Sequence, residues 1–233
     1  MTVLLVLFTL ILFLTIDYFV QRARGAKAAE SLQPVFSLAT KIPHDVRLAQ
    51  NHTWAKSDQQ GDLIIGLDDL LAKLVTPIEK IILPPVDTMV STAKPDIAVQ
   101  QGGKRLEFAA PVDGRVIEVN RDATLRPAIT GHDPYGSGWL VKIRPSNGGI
   151  DRYSTFDGEK ARAWLKEQSQ LVKEFFVPRM PSAHFATLQD GGLAADGLLQ
   201  LFNADVWREF QQSFVTLHDH PESSPEMAAE VSL

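Results

Sequence analysis

The chain opens with the least interrupted apolar stretch in the sequence. From Thr2 to Val20 almost every residue is hydrophobic, with only Thr2, Thr9, Thr15, Asp17 and Tyr18 breaking the run. Nineteen residues at ~1.5 Å rise per residue reach about the ~30 Å of a bilayer's hydrocarbon core. No face of this stretch is polar, so it does not read as an amphipathic core helix. No Lys or Arg precedes it, and its exit, Asp17-Tyr18-Phe19-Val20-Gln21-Arg22, lacks a small-x-small cleavage site, which argues against a secretory signal. We read residues 1–21 as a single-pass transmembrane helix. Arg22, Arg24 and Lys27 follow directly, and the positive-inside rule places the N-terminus outside and the remainder in the cytoplasm.

Residues 22–50 show no sustained period and carry Pro34 and Pro43, the pattern of a linker. From residue 51 the pattern changes to short apolar runs broken by turn residues. Strands are predicted at Leu63–Ile65, Ile78–Leu83, Ile97–Gln101, Arg105–Phe108, Gly114–Asn120 and Trp139–Arg144, with a short helix at Asp68–Leu74. Gly102-Gly103 between two of these strands signals a two-residue hairpin, because both central positions of a type I′ turn need φ > 0. This is a mainly β domain, a small antiparallel sandwich or flattened barrel spanning 51–147.

A helical extension follows over 148–219. Ala161, Trp164, Leu165, Leu171, Val172 and Phe175 give Gly158–Phe176 an apolar stripe, with Asp157 as N-cap and Pro178 as its stop. A second helix is predicted over Ala204–Leu217, capped by Asn203, with Val206, Phe210, Phe214 and Leu217 on one side and Trp207 widening it. These helices are expected to cover the β-domain. A sharper alternative makes Trp164, Trp207, Phe210 and Phe214 a partner-contact surface, since aromatics are enriched in interface cores. Residues 220–233 are rich in Pro, Ser and Glu without a period and read as a disordered tail.

Composition narrows the function classes. The net charge is −5 and no basic stripe interleaves with aromatics, which argues against nucleic acid. The absence of cysteine excludes a thiol nucleophile, a disulfide and any Cys-ligated metal. No phosphate-binding, dinucleotide, zinc-protease, serine-hydrolase or EF-hand motif is present. His52 and His132 read as structural, and Asp68 and Asp69 as the start of a helix rather than an acid/base pair. His218 and His220 flank Asp219 without a nearby third ligand of the usual kind. No catalytic residue and no metal site are expected.

Several blocks carry a more specific signal: His52-Thr53-Trp54, Gly66-Leu67-Asp68-Asp69, Leu83-Pro84-Pro85-Val86, Ala110-Pro111-Val112-Asp113-Gly114, Val116-Ile117-Glu118-Val119-Asn120 and Asp133-Pro134-Tyr135-Gly136-Ser137-Gly138-Trp139-Leu140-Val141-Lys142-Ile143. In order and spacing, from His52 to Pro145, they resemble the H protein of the glycine cleavage system. The resemblance implies a lipoyl-type β-sandwich (a barrel-sandwich hybrid). It also implies a carrier without catalytic activity, whose lipoyl-lysine at a hairpin tip takes an aminomethyl group from glycine decarboxylase to the next enzyme.

The pattern departs from that family at the tip. The lipoyl-lysine stands eight residues before the turn proline, here Pro111, and that position is Gly103. Gln100-Gln101-Gly102 replaces the usual Glu-Ser-Val, and Lys104 comes one residue late. Strand side chains alternate faces, so a one-residue slip re-aims a side chain. The expectation is an unlipoylated module with no cofactor, serving as an accessory or scaffold subunit of a membrane complex. The alternative is a working carrier that bears lipoate on Lys104.

Overall fold

The computed structural model describes residues 42–146, 150, 155–180 and 196–216. The expected transmembrane helix, most of the linker and the tail from 217 onward lie outside these residues. Among the described residues no helix is long and apolar enough to cross a membrane. The chain divides into two compact units, one built from residues 38–169 and 195–233, the other from 1–37 and 170–194.

The first unit holds two antiparallel sheets. The larger has seven strands, β1 (Arg47–Ala49), β2 (Thr53–Ser57), β3 (Leu63–Leu67), β5 (Met89–Val90), β8 (Gly114–Val119), β9 (Val141–Pro145) and β10 (Thr155–Phe156), in the order β10-β1-β2-β3-β9-β8-β5. The smaller has three, β4 (Lys80–Ile82), β6 (Pro95–Gln101) and β7 (Lys104–Ala109), in the order β4-β6-β7. All six predicted strands are present, with shifted ends. Four others were not foreseen: β1, β2, β5 and β10.

Two boundaries are corrected. The stretch 22–50, read as linker, ends in β1, whose Leu48 and Ala49 are buried and which pairs with both β2 and β10. The extension from 148, read as helical, first adds β10 to that sheet.

Short helices fill the connections: α1 (Asp69–Leu74), α2 (Arg121–Leu125) and α3 (Ala128–His132). Asp68 caps α1 by accepting from Leu71 N, and Leu70, Leu71, Ala72 and Leu74 carry the helix into the core. Trp54, Phe108, Leu48, Leu63, Ile65, Leu67 and Ile97 are among the largest fully buried side chains. Fully burying one such side chain is worth ~1.5–3 kcal/mol, and both sheets and α1 supply such side chains.

The long amphipathic helix forms as expected, α4 over Gly158–Phe176. Ala161, Leu165, Val172 and Phe176 are buried, an i, i+4 row slightly rotated from the expected stripe, which leaves Leu171 exposed. In the second unit Arg179 lies 4.1 Å from the Phe175 ring centroid, and Phe175 meets Phe176 edge-on. The last helix, α5, covers only Ala204–Phe210, capped by Asn203, whose Oδ1 accepts from Asp205 N and Val206 N. A π-helical turn at Gln211–Val215 then rotates the inward row: Val215 is buried, as are Trp207 and Phe210, while Phe214 is half-buried.

Candidate functional site

The β6–β7 hairpin turns at Gly102 (φ 56°) and Gly103 (φ 72°), with Gln101 paired to Lys104. Both glycines are in the left-handed region, the geometry of a type I′ turn, which L-residues other than Asn and Asp enter at a cost. Behind the tip, Val99 faces Leu106 and Ile97 faces Phe108, and all four are buried. A Cβ built on Gly103 would meet nothing within 4 Å, so the tip itself stands in open space.

Lys104 does not. Its Nζ donates to the carbonyl of Phe202 at 2.7 Å and to that of Gln200 at 3.3 Å, and lies 5.3 Å from the Trp207 ring centroid. These carbonyls lie at the C-terminal end of the 3-10 turn Leu198–Leu201, where a cation is favoured by the free C=O groups and the local dipole. Trp207 is 2% exposed, and its indole N–H donates to Leu199 O at 2.8 Å, which fixes the ring under the ammonium.

A second anchor lies two residues past Arg105. The Gln211 side chain accepts from Glu107 N at 2.8 Å and donates to Glu107 O at 2.7 Å. A primary amide thus occupies the outer edge of β7 as a neighbouring strand would. Arg105 and Glu107 form a half-exposed ion pair at 2.9 Å. Between β7 and α5 lies an open groove of about 620 Å³, lined by Lys104, Arg105, Glu107, Trp207, Arg208 and Gln212 among others.

The other candidates serve the fold. His52 is 1% exposed at φ 59°; its Nδ1 lies 2.7 Å from Asp68 Oδ2 and its ring packs tilted, at 39°, against Trp164, which stacks on Phe156. Its Nε2 is buried with no hydrogen-bond partner among the described residues. Asp69 pairs with Lys73 one turn along α1. His132 is exposed at the end of α3. Burial, with Asp68 nearby, pushes the Tyr135 hydroxyl above its ordinary range. Among the described residues no cluster of three or more His, Asp or Glu is placed to hold a metal; His218 and His220 lie outside them.

The four aromatic partner-contact candidates are used inside the chain. Trp207 and Phe210 are buried, Trp164 and Phe214 are half-buried, and Phe210 and Phe214 stack on each other at 4.9 Å. Sequence reasoning missed Gln211, Gln200 and Phe202. Their contacts with β7 span about a hundred residues and leave no local periodicity.

Comparison with known proteins gives the family. The family profile described as "Glycine cleavage H-protein" matches residues 46–168, more than half of the 233 residues and wider than the blocks first noted. The probable glycine cleavage system H protein 2 of Saccharolobus solfataricus is 35% identical over 118 residues, covering 51% of this chain and 79% of that one. The glycine cleavage system H protein of Alteromonas mediterranea is 36% identical over 106 residues, covering 45% and 81%. The H protein 2 of Aquifex aeolicus is 30% identical over 148 residues, covering 58% and 92%. A crystal structure of a Mycobacterium marinum H protein aligns with TM-score 0.48 at 24% identity, covering 54% of this chain and 99% of that one. This chain therefore belongs to the glycine cleavage H-protein family.

Proposed function

We propose that the chain is an H-protein module that works without a lipoyl arm, as a non-catalytic accessory or scaffold subunit of a membrane complex. Residues 2–20 anchor it in the bilayer, with the N-terminus outside and the β-domain cytoplasmic. The reading is carried by the Lys104 ammonium, the amine nearest the hairpin tip, which is engaged by two backbone carbonyls and the Trp207 ring. The residues present do not fit a lipoyl group. The tip position offers no amine at all, and acylating Lys104 Nζ would remove the charge and leave one N–H for the two carbonyls of Gln200 and Phe202. The membrane part rests on the apolar run and the basic residues that follow it.

The test is the intact mass of the protein from its native cells, with other lipoyl proteins of the same cells as positive controls. An unmodified mass is expected. A lipoyl adduct on Lys104 would overturn the proposal in favour of the carrier. Recovery from membranes in mild detergent, with mass spectrometry of what accompanies it, tests the scaffold role. Recovery of the chain alone counts against it.

A further inference from the structure

We propose that the outer edge of β7 is a latent homodimer interface, closed in this structure by residues 198–216. The inference does not depend on whether the chain bears a lipoyl arm.

Antiparallel strands alternate between residues that bond inward and residues that bond outward. Gln101 and Lys104 close the two-residue turn, so Lys104 and Leu106 bond toward β6, and Arg105 and Glu107 turn their N–H and C=O away from it. β7 is an edge strand of its sheet. An open edge is a template for strand addition, and proteins block such edges deliberately. Here the block is the Gln211 amide, which takes both outward groups of Glu107. Arg105, the next outward residue, borders the open groove.

The side chains indicate which strand would replace that amide. Leu106 and Phe108 point into the core and are buried, while Arg105 and Glu107 point out and are about half exposed. A second copy of β7 laid antiparallel about a two-fold through Leu106 sets Arg105 opposite Glu107 of the second copy, and the reverse. Both are hydrogen-bonded pairs in that register, so all four outward groups of each strand are satisfied. Such an isologous contact requires a self-complementary patch, which this charge pair supplies. The ion pair now formed within one strand is exchanged for two across the dyad.

The test uses the full chain in mild detergent, with sedimentation velocity as the readout and circular dichroism confirming the fold. The wild type is expected to be monomeric and Gln211→Ala dimeric. Adding Glu107→Arg, which sets cations against each other across the dyad, is expected to return the variant to monomer. Exchanging the pair, Arg105→Glu with Glu107→Arg in the Gln211→Ala background, is expected to restore the dimer. A folded monomeric Gln211→Ala, or a dimer that persists with Glu107→Arg alone, overturns the proposal. Hydrogen exchange on the wild type gives an arm independent of variant folding: the Glu107 amide must open before the Leu106 amide. Equal protection of the two would mean that the edge opens only on global unfolding, and the interface would be refuted.

Discussion

Replacing Lys104 by methionine separates a structural lysine from a free one. Methionine keeps a flexible, unbranched stem of similar length but brings no charge and no donor. In the wild type the 2.7 Å bond to Phe202 O is partly buried. A hydrogen bond from a charged group is worth ~1.5–3 kcal/mol net. The 3.3 Å bond to Gln200 O is exposed and adds little. The Trp207 ring at 5.3 Å contributes ~0.5–1 kcal/mol at a partly solvated site. Releasing the lysine from a fixed rotamer returns part of the ~1.5–2 kcal/mol of side-chain entropy. The net expectation is a loss of about 2 kcal/mol. Urea unfolding followed by circular dichroism reads it as a lower midpoint at unchanged slope, because the area buried is nearly the same. Arg105→Met is the control. Its partner Glu107 is 44% exposed and its own side chain 45% exposed, so the change should stay within ~0.5 kcal/mol. If Lys104→Met is no more costly than Arg105→Met, the carbonyl clamp contributes nothing and the case against an available Lys104 amine fails.

Two further outcomes are expected. Gly66→Ala places a methyl 2.7 Å from the Trp54 ring, which is 1% exposed and held by its indole N–H donating to Pro134 O; overpacking of this kind costs ~1–3 kcal/mol, and an unchanged melting temperature would contradict the packing described. Asp133 is held below the usual carboxylate range chiefly by the Ser137 N–H, then by the Ser137 hydroxyl, both bonded to Oδ2. A depressed folded pKa gives stability that is fully present above the unfolded value of 3.8 and is lost as pH falls through the folded one. Asp133→Asn should therefore narrow the difference in urea midpoint between pH 7 and pH 2.5, and an unchanged difference would refute the assignment.

The parts of the fold legible in the sequence are those with local causes. Gly102-Gly103 announced the hairpin because few other residues tolerate two consecutive left-handed positions. Asp68 announced α1, and Asn203 the start of α5, because caps act within three residues. The strand β2 escaped because Thr53, Trp54 and Ala55 are all buried, so the alternation that marks a half-exposed strand is missing. β1 and β10 are too short for any period to show, and α2 and α3 are single turns of five residues each. The site was half legible. The glycine at 103 is a fact of local order, whereas the capture of Lys104 depends on residues 96 and 98 positions away.

The carboxylate of Asp68 holds two structures at once. One oxygen receives the Leu71 N–H at the head of α1, and the other meets the His52 ring, which rests on Trp164 and through it on Phe156. Rings in van der Waals contact do not compress, so the axial position of α4 is indexed to the first turn of a helix more than ninety residues earlier in the chain. A one-residue insertion between Phe156 and Trp164 would turn the indole about 100° away from the imidazole. Length variation in this protein should therefore collect in segments that do not bear on that column.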